Sequence, residues 1–189
     1  HPTLWPMGTL TDVGPAGLVP AAWTVTIAAH FSSLVSERTL LIALGVMDVL
    51  LLAFLVAAYD EMEGSVLGAW RGVLAAGLVV TLAGTAGLAL DPNQAALVAV
   101  ALYGWMILPG LAYVRTGRMV AATPARYVYI AAAGASLGGA ILYAIGHLGG
   151  LEPPVTTFVG LVVVGVGQTA GIVTAAWRNA GRDPAEIPY

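Results

Sequence analysis

The chain is a succession of long apolar runs separated by short polar breaks. A helix needs roughly 20 mostly apolar residues to cross about 30 Å of hydrocarbon. Five runs meet that length: 39–59, 70–90, 95–114, 127–147 and 155–177. A sixth, 15–35, carries Thr24, Thr26 and His30 and is the least hydrophobic of the set. The breaks are rich in charge, proline and glycine: Ser36-Glu37-Arg38, Asp60-Glu61-Met62-Glu63-Gly64, Asp91-Pro92-Asn93, Arg115 to Pro124, and Glu152-Pro153-Pro154. The pattern predicts an all-α, polytopic transmembrane helical bundle of about six spanning helices with short loops. It occupies 15–178, with an N-terminal segment at 1–14 and a C-terminal tail at 179–189.

Composition strengthens this expectation. Only 9% of residues are charged and 59% are hydrophobic, with a mean hydropathy of +0.88. A water-soluble domain carries about a quarter charged residues, so lipid must cover much of this surface. The lipid bilayer is therefore the first expected partner. There is no cysteine, which excludes disulfides, thiolate metal sites and thiol nucleophiles. All seven basic residues are arginine, and with the excess of Ala, Gly and Val this points to a GC-rich prokaryotic source. No basic stripe interleaves with aromatics, leaving no case for a nucleic-acid partner. The chain starts at His1, which suggests removal of something upstream, such as a signal peptide.

Basic residues are retained on the cytoplasmic side of a bilayer. Six spans with both termini inside put Arg71, Arg115, Arg118, Arg126, Arg178 and Arg182 on that side and only Arg38 outside. Tyr59, Trp70, Tyr113, Tyr127 and Trp177 fall at the same interface, where amphipathic rings prefer to lie. The expected location is the cell membrane, multi-pass, with a cytoplasmic C-terminus.

Helices associate in lipid by close packing and interhelical hydrogen bonds, so small residues four apart are candidate contact faces. Such pairs are Gly68 with Gly72, Ala83 with Gly87, Gly134 with Gly138, and Gly167 with Gly171. Pro109-Gly110 should bend the fourth span, because proline lacks an amide donor.

Asp48 lies near the midpoint of its run, where an ionisable group costs several kcal/mol and must face protein or water. The midpoints of the other spans fall near Thr26, Thr81, Tyr103, Ser136 and Gln168. Together these residues form an expected polar layer, either a structural hydrogen-bond network or a site for a small solute or ion. His30 and His147 should lie toward the outer ends of their helices, on the side that also carries Glu37, Asp91 and Glu152. A set of this kind can ligate zinc, copper or a haem iron, so haem or metal stands as a candidate cofactor.

No catalytic constellation is visible, and an enzyme is not expected. Ser136 and His147 lie on one span at a separation of about 16 Å, too far apart for a nucleophile–base pair. The absence of lysine excludes a retinal Schiff base. Short loops and numerous glycines favour a helical subunit of a larger membrane complex, energy-transducing or respiratory assemblies included, with other membrane subunits as partners. The alternatives are a small-solute or ion transport or binding subunit centred on Asp48, and a haem or metal protein using His30 and His147.

Overall fold

A computed structural model describes residues 7–57, 59–60, 62, 64–90, 92–121, 123–148 and 153–180. These form six helices and no strand: α1 (Met7–Phe31), α2 (Glu37–Ala57), α3 (Ser65–Ala89), α4 (Ala95–Met119), α5 (Pro124–Leu148) and α6 (Pro153–Ala180). The fold is a helical membrane bundle. Five of the helices, α2 to α6, are long and apolar enough to cross a bilayer, and α1 contributes a shorter apolar stretch, Ala16–Phe31. α4, α5 and α6 reach or overrun both ends of their apolar runs by up to five residues, α2 and α3 start earlier and end one or two residues short, and α1 begins eight residues before its run and stops four residues short of its end, at Phe31. Residues 1–6 and 181–189, and with them Arg182, lie outside the described residues, as do Glu61, Glu63, Asp91 and Glu152.

Local chemistry sets the helix starts. Ser36 Oγ accepts the Thr39 amide at 3.2 Å, capping one of the orphan donors at the beginning of α2. Gly64, at φ +86°, turns the chain into α3 through a conformation that side chains resist. Pro124 and Pro153 open α5 and α6, a position where a missing amide costs nothing.

Consecutive helices from α2 to α6 pack as neighbours, whereas α1 lies against α6. The ends therefore segregate. Arg71, Arg115, Arg118, Arg126 and Arg178 occupy one end of the bundle, while His30, Glu37, Arg38 and His147 occupy the other. The core at the centre joins Trp23 of α1, Met106 of α4, Ala140 and Tyr143 of α5, and Leu161 and Val164 of α6. A second core at the arginine end joins Tyr113, Tyr129, Ala132 and Ala133, with Trp70 against it.

Glycines decide how near the helices come. A Cβ on Gly160 would lie 2.7 Å from the Tyr143 amide nitrogen and 2.8 Å from the Gly139 carbonyl, so α5 and α6 meet there backbone to backbone. Gly146 faces Thr156 and Thr157, and Gly167 faces Ala135, extending that seam in both directions. On α3, Gly77 receives the Trp105 ring and Gly84 receives Ala101; on α4, Gly110 receives Leu137 and Gly117 receives Ile130. These glycines recur every seven residues: 77 and 84, 110 and 117, 139 and 146, 160 and 167. A seven-residue step returns a helix to nearly the same face, which suits extended side-by-side packing.

The four-residue pairs divide. Gly87 packs against Leu97 and Val98, Gly171 against the Tyr113 ring, and Gly167 lies in the α5–α6 seam. Gly68, Gly72, Gly134 and Gly138 have open space where a Cβ would be. Gly160→Ala should therefore destabilise the protein by about 1–3 kcal/mol through overpacking, while Gly138→Ala should cost nothing measurable. Reversible unfolding in detergent, followed by far-UV circular dichroism, measures both; equal effects would contradict the seam.

Candidate functional site

The centre of the bundle is organised by a defect in α4. A helical amide normally bonds to the carbonyl four residues earlier, so Pro109 leaves the Trp105 carbonyl without its helical donor. In the hydrocarbon layer bulk water is not at hand to replace that donor. Gln168 of α6 does: its Nε2 donates to the Trp105 carbonyl at 2.8 Å and to Ser136 Oγ at 2.6 Å. Ser136 Oγ in turn donates to the next α4 carbonyl, Met106, at 2.7 Å. Gln168 Oε1 accepts from the Trp23 indole at 3.0 Å, so α1, α4, α5 and α6 are joined at a single amide. The Trp105 indole extends the network to α3, donating to Thr81 Oγ1 at 2.8 Å, and Thr81 donates onward to the Gly77 carbonyl at 2.7 Å. Thr81 and Ser136 are fully buried and Gln168 nearly so.

Three of the six residues expected at mid-depth, Thr81, Ser136 and Gln168, thus meet in one network. The other three stand apart. Thr26 bonds back to its own helix at the Ala22 carbonyl, 2.9 Å away. The Tyr103 hydroxyl is buried without a hydrogen-bond partner, its ring edge-on to Tyr143. Asp48 faces α3, where Thr85 Oγ1 donates to its Oδ2 at 2.6 Å. Its residue exposure is 9%, and Oδ1 is buried with no hydrogen-bond partner. Trp23 and Trp105 were missing from the sequence expectation. A buried indole N–H needs an acceptor, and Trp105 stands four residues before a mid-helix proline; those two signals could have found it.

His30 and His147 are brought to the same tyrosine. His30 Nε2 and the Tyr143 hydroxyl are 3.0 Å apart, while the His147 ring stacks on Tyr143 with centroids 5.5 Å apart. His30 Nδ1 lies 2.8 Å from the Thr26 carbonyl, which can only accept, so Nδ1 carries a proton and Nε2 is engaged by the phenol. A metal at His30 would have to displace Tyr143. Among the described residues no group of three His, Asp or Glu side chains converges on a metal position. Glu37 bonds instead to Asn93 Nδ2 at 3.0 Å, tying the start of α2 to the α3–α4 connection.

No protein-family model matches the chain, and neither a characterised protein nor a solved structure is detectably similar to it.

The proline defect gives a direct test of the network. Gln168→Leu should cost about 1–3 kcal/mol, since it strands the Trp105 carbonyl and the Trp23 indole. Pro109→Ala restores the helical amide and should shrink that penalty, giving a coupling energy of at least about 0.5 kcal/mol in a double-mutant cycle of detergent unfolding. Strict additivity would show that Gln168 does not serve the broken turn.

Proposed function

We propose that the chain is a helical subunit of a larger membrane assembly, contributing a rigid group of helices rather than a moving pathway. The observation that carries this reading is the contrast between interior and exterior. Inside, the amide of Gln168 on α6 takes its partners from three other helices, an arrangement that fixes the four against one another. Outside, Gly134 and Gly138 on α5 and Gly68 and Gly72 on α3 present backbone with nothing near the Cβ positions. Lipid gains little at such a surface, whereas a second helix gains close packing. α2 adds a further open face, with Ile42, Val46, Val49, Leu52 and Val56 all exposed.

Extraction of native membranes in a mild detergent should yield the protein with a partner. Gly134→Leu combined with Gly138→Leu should release that partner while leaving the melting temperature of the isolated chain unchanged. A monomer that is stable and alone after gentle extraction contradicts the subunit reading.

A second reading rests on Asp48, whose Oδ1 is a buried acceptor without a hydrogen-bond partner near the middle of α2. A carboxylate in that position fits a small cationic solute or ion, held with the Thr85 hydroxyl beside it. Asp48→Asn should then abolish uptake or binding in whole cells without loss of folded protein. Unaltered uptake in that variant would remove this reading and leave the subunit proposal untouched.

A further inference from the structure

The outward face of α4 changes character along its length. Val100, Ile107 and Leu111 are exposed apolar side chains on one face of the helix, two turns and then one turn apart, the kind of stripe that hydrocarbon covers. The stripe ends in Arg115 and Arg118, both exposed and one turn apart. A surface concavity of about 400 Å³ lies at this transition, lined by Leu111, Val114, Arg115, Arg118 and Met119. Its depth is fixed by helix geometry. Twenty residues of α-helix from Ala95 span about 30 Å, the thickness of the hydrocarbon layer, so Arg115 emerges at the level of the lipid headgroups. Leu111 and Val114 remain on the acyl side of that boundary.

We propose that this face of α4 binds an anionic phospholipid, its phosphate on the guanidinium groups of Arg115 and Arg118 and one acyl chain along the stripe through Leu111 and Ile107. The two halves of the surface match the two halves of that molecule, and neither half alone would. Guanidinium groups present several N–H donors in a plane that suits phosphate oxygens. Arg71, Arg126 and Arg178 belong to the same end of the bundle and give the surrounding surface a positive potential, which raises the local concentration of anionic lipid. This inference does not depend on the chain being a subunit of anything.

The purified chain, held in detergent and titrated with phosphatidylglycerol or with phosphatidylcholine of the same acyl chains, should retain phosphatidylglycerol preferentially in native mass spectrometry. Arg118→Gln should weaken retention about fivefold, and Arg115→Gln with Arg118→Gln about thirtyfold. Arg126→Gln, an exposed arginine at the same end but on α5, should change it little. Equal losses from Arg126→Gln would mean diffuse electrostatic attraction and overturn the proposal. Displacement of the lipid by inorganic phosphate alone would also overturn it, since a free-phosphate site makes no use of the apolar stripe. If the double variant fails to fold, the unaltered protein decides the matter. In lipid nanodiscs, diazirine-bearing phosphatidylglycerol should cross-link within residues 107–119, and cross-links spread evenly over the other helices would refute the site.

Discussion

One unpaired carbonyl organises the middle of this protein. Pro109 removes the donor that the Trp105 carbonyl needs, and in a hydrocarbon environment a lost backbone bond must be replaced from within the protein. Gln168 supplies the replacement, and its remaining polar atoms are drawn to Ser136 and Trp23. A change that would break a helix in water here becomes the junction at which four helices are registered. The register then propagates: once Trp105 is held, its indole reaches Thr81 and fixes α3 as well.

The glycine seams complete what the junction begins. Polar bonds define which turns face each other, but the helices can approach only where side chains are absent. Gly139 and Gly160 meet at the same level as the Tyr143 backbone, and the seven-residue recurrence repeats that approach along each helix. The two devices act together: side chains as long as Gln168 and Trp105 bridge the helices at defined turns, and glycine lets the backbones close in alongside them.

The fold was legible in the sequence because the constraint that produces it is crude: runs of about 20 apolar residues in lipid have little choice but helix. The seams were harder to read. A search for small residues four apart points to Gly134 and Gly138, which lie open, and passes over Gly139 and Gly146, one residue and eight residues beyond Gly138 on a different face. Four residues advance a helix by 400°, so such a pair straddles a face, whereas seven bring it back to within about 20°. The polar layer was half legible. Depth is a one-dimensional coordinate: it groups Thr81, Ser136 and Gln168, which hydrogen bonds link in one network, but it carries no azimuth. Asp48 bonds to Thr85, one turn along α3 from Thr81, outside their network. Thr26 satisfied itself locally, a choice always open to a hydroxyl near its own preceding carbonyl.

The placement of α1 against α6 bears on how the protein is made. Trp23 and its acceptor Gln168 are separated by 145 positions in the chain, and every other helix is synthesised between them. At about 5–20 residues per second the ribosome needs on the order of ten seconds or more to deliver α6 after α1. Throughout that interval α1 lacks its permanent neighbour and the Trp105 carbonyl lacks its substitute donor. α6 is therefore the helix that locks both α1 and the broken turn of α4, so that its loss would undo α1, far away in the sequence, as much as its own neighbours.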